Sequence, residues 1–279
     1  MTGTAYRVSS TTDRIGNVFL WDMFNPWAGW MELNSTHPLT GKRIRALSNY
    51  AEQLDLKLEF DMAAVLRKGS QLSKQRLYRG FVLDLLLYMA EAIGLVGGIV
   101  LAMLWSAGPA RTEHLLAFPL VGLGLGILIK AWVMYPSFAN AQAMTILDLM
   151  GDAYASPLRG IPVELHGTLI GRGEAGYVFG SDLQLQDSTG LLFTRYSSRF
   201  GPLGNFLFGL QRVKALIGSS GTMVGWFRRG VASSLDLMRL QSDAGGIINS
   251  YPRFWSFLSG GLLLILGLYL SGAGKAISG

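Results

Sequence analysis

Two apolar runs set the terms for this chain. Residues 80–105 read GFVLDLLLYMAEAIGLVGGIVLAMLW and residues 115–135 read LLAFPLVGLGLGILIKAWVMY. Each has the ~20 residues a helix needs to cross the hydrocarbon core of a bilayer. The break between them, 106–114, contains Gly108 and Pro109 and suits only a tight turn. A soluble core helix rarely stays apolar on every face for so long, so a membrane hairpin is favoured over two buried helices. Gly94 and Gly98 form one Gly-x-x-x-Gly step, and Gly122 and Gly126 form another at similar depth. Such steps let helix backbones approach closely in lipid.

Three charges interrupt the runs. Asp84 and Lys130 lie about one and a half turns in from the same side, at 3.6 residues per turn, and are expected to pair. Glu91 lies deeper, with no partner at its level in either run. An intramembrane acid is a candidate functional residue by default. The plainer alternative is that it is protonated, or bonded to a helix or subunit outside these two runs.

Composition narrows the rest. With no cysteine among 279 residues, disulfides and Cys-ligated metal sites are excluded. The net charge of +6 marks a cytoplasmic side in a membrane protein rather than a nucleic-acid partner. Arg67, Lys68, Lys74, Arg76 and Arg79 crowd the approach to the first run, whereas the turn has only Arg111. The N-terminal segment is therefore expected in the cytoplasm and the turn outside.

Ahead of the runs, GNVFLWDMFNPWAGWM holds Phe19, Trp21, Phe24, Trp27 and Trp30. Asn25-Pro26 and Gly29 are expected to break any helix here. The block reads as an interfacial aromatic anchor, or as the wall of a binding cleft. Trp27, Trp30 and Asn34 are the candidate substrate or interface residues. Next, Thr40 is a fair N-cap, and Ile44, Leu47, Ala51 and Leu54 recur at helical spacing as one apolar face. His37 stands in the turn before this helix and Arg43 in its first turn.

Ser35-Thr36-His37-Pro38, with Arg43 six residues after the His and Ile44 following, resembles a segment of the HtpX-like and CAAX-prenyl-protease-like membrane zinc metallopeptidases. The resemblance covers roughly residues 16–56. It implies that His37 helps to stabilise a tetrahedral intermediate and that Arg43 braces a glutamate zinc ligand. It also implies the family version with a C-terminal extension. The family builds its zinc site on H-E-x-x-H plus a further Glu. This chain has only His37, His114 and His166, no two of them four apart and none followed by Glu. No metal ligand and no cofactor is therefore expected in this chain, although zinc belongs to the family. The zinc helix lies upstream of this segment in the family, and 34 residues precede Ser35. The expectation is the C-terminal part of such a peptidase, acting with a separate catalytic polypeptide.

Beyond residue 160 the pattern becomes β-type. Runs at 163–172, 182–186 and 191–196, a helical stretch at 205–218, and runs at 222–228 and 235–240 follow in order. Strand–strand–strand–helix–strand–strand is the order of a five-stranded OB barrel. Phe193, Arg195, Tyr196 and Arg199 offer a nucleic-acid face, but basic residues only slightly outnumber acidic ones over 159–243, so nucleic acid is an unlikely partner. His166 reads as an ordinary strand side chain. Residues 254–270, FWSFLSGGLLLILGLYL, make a third apolar run with aromatic ends.

The expected fold is thus membrane α+β, with three transmembrane helices and an OB-like barrel before the last. The expected domains are 1–69, the end of a peptidase domain; 70–136, the transmembrane hairpin; 137–250, a linker helix and barrel; and 251–279, a last transmembrane helix and a disordered tail. Lipid is the first partner. A non-catalytic membrane scaffold that recruits a protein through the barrel is the rival reading.

Overall fold

In a computed structural model of the chain, residues 14–33, 35–56, 61–106, 114–173 and 179–271 are described. The expectations for Asn34, for most of the 106–114 turn and for the tail lie outside them.

The aromatic block is helical, not a loop. α1 spans 14–24 and α2 spans Pro26–Glu32. Asn25 caps α2, its side-chain oxygen accepting from Trp27 N at 2.9 Å, and Pro26 occupies the first turn, where its missing N–H costs nothing. Asn-Pro therefore starts a helix, and Gly29 lies within it. The interfacial-anchor reading is corrected as well: Phe19, Trp21 and Trp27 are buried, Trp21 completely. Trp21 Nε1 donates to Ala155 O at 2.9 Å, and Trp27, Ala28 and Leu39 pack with it against Phe81 and Leu158.

α3 (Thr40–Gln53) turns a different face inward from the one its sequence suggests. Gly41 and Ser48 are buried, with Ile44 and Ala51 half-buried on the same side, while Leu47, Tyr50 and Leu54 are exposed. The cause is a close approach. A Cβ on Gly41 would lie 2.9 Å from Asp22 Cβ, and Gly41 N donates to Asp22 Oδ2 at 2.9 Å. The small side faces α1, and the leucines point away. α4 (Met62–Ser70) is capped by Asp61 and adds Met62 and Val65 to a small core with Leu20 and Ala153.

The first apolar run is not one straight helix. α5 (Lys74–Tyr88) and α6 (Ala90–Ser106) meet at Met89 with a bend of 59°. α7 (His114–Met134) is the central helix. A Cβ on Gly94 would sit 2.1 Å from Gly122 O, one on Gly98 2.3 Å from Phe118 O, and one on Gly126 2.4 Å from Ala90 O. The glycines thus let α6 and α7 touch backbone to backbone from Ala90 onward. α11 (Phe254–Leu270) packs on another side of α7 through Gly260 and Gly267. Among the described residues, only Leu115–Met134, 20 residues with a mean hydropathy of 2.0, is by itself long and apolar enough to cross a membrane. α5 and α6 qualify only together and bent, and α11 has 17 residues. Of the three expected crossings, length and composition thus give one among the described residues, or two with the bent pair taken as one span.

The β region is a closed five-stranded barrel. β2 (Ile161–Arg172) pairs with β3 (Leu183–Gln186), β3 with β4 (Leu191–Arg195), β4 with β6 (Ser234–Ser242), and β6 with β5 (Ser220–Arg228). β5 returns to β2 and shuts the ring. All these pairs are antiparallel except β4–β6. Register shifts leave Ile170 as an extra residue in β2, opposite β3, and Met238 as an extra residue in β6, opposite Val224 and Gly225 of β5, and such bulges bend the strand that carries them. Val163, Leu165 and Leu169 alternate inward, while Glu164, His166 and Ile170 face out. α9 (Gly201–Gln211) and α10 (Val213–Leu216) lie between β4 and β5, as the run order predicts. Two short edge strands had no clear signal: β1 (Gln142–Ala143) beside β2, and β7 (Ile247–Asn249) beside β6. β1 is followed by α8 (Ile146–Met150).

Two adjacent arginines at the end of β5 join the barrel to the helices. Arg228 pairs with Asp236 at 2.6 Å and reaches Met134 O at the C-terminus of α7 at 3.2 Å. Arg229 turns the other way, to Asp22 Oδ1 of α1 at 3.5 Å and over the Trp21 ring.

Candidate functional site

Residues expected to act apart meet on the C-terminal half of α5, at Phe81 and Asp84. Trp27 Nε1 donates to Asp84 Oδ2 at 3.1 Å, and Trp27 packs edge-on to Phe81 at 5.0 Å. Asp84 is buried, and Arg159 Nε donates to its Oδ1 at 2.5 Å. This triad closes one end of a cleft of about 800 Å³, continued by Arg76, Arg79, Tyr78 and Tyr154. Tyr154 OH accepts from Ser73 N at 2.9 Å, and the Arg76 guanidinium lies over the Tyr154 ring at 4.1 Å. The cleft combines cations with apolar wall from Val82, Leu83 and Leu86. It suits an amphipathic ligand with a negative end.

The expected Asp84–Lys130 pair does not form. Lys130 instead donates to Glu91 Oε1 at 3.1 Å, so Glu91 does have a partner in the second run. The bend at Met89 turns α6 against α7, bringing Glu91 to Lys130, while Asp84 is held below by Arg159. Nothing in the sequence marks Arg159, which lies in a Ser-Pro-Leu-Arg-Gly loop. The one available signal is Asp84 itself, since a buried carboxylate demands a cation.

His37 and Arg43 stand elsewhere, and both are exposed. Ser35 Oγ donates to His37 O at 2.7 Å. Glu32 braces the turn by accepting from Leu39 N at 2.9 Å and from Lys42 Nζ. Slight burial raises the Glu32 pKa, but these two donors outweigh it and hold the carboxyl below its ordinary value. Arg43 makes no side-chain hydrogen bond or ion pair among the described residues. It lies on one face of α3 with Leu47, Tyr50 and Leu54, at offsets of four, seven and eleven residues. Trp30 is about half exposed, 6.4 Å from Phe81 by ring centroids, and borders the Trp27 corner.

The residues do not fit a zinc ion. His37 stands alone, and no group of three or more His, Asp or Glu side chains converges among the described residues. At α1, burial pushes the Asp22 carboxyl above its usual range, and the Gly41 N–H and Arg229 only partly offset this. Burial also lowers the Arg229 pKa, against the opposing pull of Asp22. This pair is a structural joint between α1 and the barrel.

No protein-family model and no curated protein matches the sequence.

Proposed function

We propose that this chain is the membrane-embedded C-terminal part of an HtpX-like zinc metallopeptidase, and that it presents His37 and Arg43 to a zinc site carried on a separate polypeptide. The observation that carries this reading is the outward face of α3. Arg43 shares it with the exposed apolar residues Leu47, Tyr50 and Leu54, beside a braced turn that offers His37 to solvent. A helix that turns leucine and tyrosine outward while burying glycine and serine calls for a partner. The resemblance over 35–44 names the partner's chemistry: a polypeptide bearing H-E-x-x-H and a further Glu.

In this reading α6, α7 and α11 sit in lipid as a glycine-packed bundle, with α5 leading in from the cytoplasmic side. Leu104, Leu116, Trp132, Leu262 and Ile265 turn outward from it without cover. α5 and α6 together make the first crossing, and the barrel is an OB-type domain on the cytoplasmic side. The order of its strands and the one parallel pair within the five-stranded ring, β4–β6, support that type.

Photo-crosslinkers at Leu47 and Tyr50, followed by purification from native membranes, test the reading. The expected product contains an H-E-x-x-H polypeptide, bound zinc and casein-cleaving activity, whereas the chain alone has neither zinc nor activity. One equivalent of tightly held zinc on the isolated chain overturns the proposal. Crosslinks only to a polypeptide without zinc ligands favour the scaffold reading instead.

A further inference from the structure

We propose that α9 is an interfacial helix, lying along the boundary between lipid and water and seating the barrel on the membrane. The proposal rests on the membrane placement of α6, α7 and α11 given above. α9, GPLGNFLFGLQ, has two apolar faces and no charge. One face is ordinary: Phe208 and Gly209 are buried, and Tyr196 stacks on Phe208 at 3.7 Å. The other is not. Leu203, Phe206, Leu207 and Leu210 are all exposed, Leu203 at 67%, and their spacing places them on one stripe opposite the buried side. Phe200, 68% exposed, extends the stripe at its start. A helix resting on a water-bathed barrel carries polar groups on that side, and an uninterrupted apolar stripe signals a cover.

Position and charge indicate that the cover is lipid. α9 leaves from the corner where α11 begins. Trp255, in the first turn of α11, donates Nε1 to Ser198 O at 3.3 Å, and its ring lies against Gly201, where a Cβ would be 3.3 Å from Cζ2. Tyr251 N donates to Ser197 O at 2.7 Å at the same corner. The stripe therefore starts where the outward apolar surface of α11 starts. Arg199 precedes the stripe and Arg212 and Lys214 follow it, all exposed, and no acidic residue occurs between Asp187 and Asp236. Cations at both ends of an apolar stripe match anionic headgroups above acyl chains. At 1.5 Å per residue, 11 residues make about 16 Å, so the helix lies along the surface and does not cross.

The absence of cysteine makes a direct test simple. Single variants Leu203→Cys, Leu207→Cys, Ile265→Cys and Asp243→Cys of the full chain are nitroxide-labelled and reconstituted in phosphatidylcholine–phosphatidylglycerol vesicles. Collision with dissolved oxygen and with a water-soluble nickel chelate is then measured. The expected result is a several-fold excess of oxygen over nickel collisions at 203 and 207, at a depth shallower than 265, with 243 dominated by nickel. Nickel-dominated labels at 203 and 207, with 265 in lipid, overturn this proposal alone. Nickel-dominated labels at 265 as well overturn the membrane placement too. Labels at 203 and 207 that are immobilised and shielded from both reagents mark a protein cover, and also overturn it.

Discussion

Arg159 Nε lies 2.5 Å from Asp84 Oδ1, joining a loop of the barrel side to a helix whose neighbouring positions are Val82, Leu83 and Leu86. The two ends are unequal: Asp84 is almost completely buried, while Arg159 is about one-third exposed. The consequences of breaking the pair should be unequal too.

Arg159→Ala leaves the carboxylate buried with only Trp27 as donor, and is expected to cost about 3–5 kcal/mol. Asp84→Asn leaves a guanidinium that can turn to water, and is expected to cost about 1.5–3 kcal/mol. Thermal unfolding of the two variants in detergent checks the order. A larger loss for Asp84→Asn contradicts it.

The helix contacts predict a position-specific response to a single methyl group. Gly122→Ala places a Cβ 2.0 Å from Gly94 O, where only backbone can yield, and is expected to cost about 1–3 kcal/mol. Gly97→Ala meets nothing within 4 Å and should be neutral or slightly stabilising through helix propensity. Melting curves of both variants in one detergent distinguish close packing from general glycine intolerance.

Asp187 ties α8 to the β3–β4 turn. Its Oδ2 accepts from Ile146 N at 2.8 Å, and its Oδ1 from Thr189 N, Thr189 Oγ1 and Gly190 N at 2.6, 2.7 and 2.9 Å. Burial alone would raise its pKa, but these donors outweigh it and hold the carboxyl below its ordinary value. A depressed folded pKa contributes stability that is complete above the unfolded value and disappears as pH falls through the folded one. Asp187→Ala should therefore cost about 1.5–3 kcal/mol at pH 7. Urea unfolding of the variant and the parent should converge only once pH has fallen below the ordinary carboxylate range. Convergence within or above that range would contradict the assignment.

His37→Ala and Arg43→Ala remove exposed side chains and should leave unfolding free energy within about 0.5 kcal/mol of the parent. Under the proposed function they should nevertheless lower casein turnover by the complex. Leu47→Asp with Tyr50→Asp should abolish its capture. A large stability loss from His37→Ala would place that residue in the fold and not at a partner's site.

The barrel was readable because alternation is a local property. Val163, Leu165 and Leu169 mark an inward face whether or not the partner strand is known, and Asp187-Ser188-Thr189-Gly190 marks the turn that follows β3. The apolar runs were readable for the same reason. The aromatic block was misread because Asn-Pro has two meanings: it stops a helix that precedes it and starts one that follows. The face of α3 was misread because Gly41 carries no hydropathy signal, yet decides by its size which side reaches Asp22. The cleft was half visible: Trp27 and Asp84 stand out in the sequence as an aromatic and a charge within an apolar run, whereas Arg159 and Tyr154, which complete it, do not.

A period of two and unbroken apolar length were enough to mark out the five barrel strands, their order along the chain and the apolar runs, since each depends on neighbours a few positions away. The partner of Asp84, the bend at Met89 and the joint between Arg229 and Asp22 belong to the tertiary structure alone. The paired residues are 75 and 207 positions apart. A buried charge requires an opposite one, but only the packing of distant segments decides which residue supplies it.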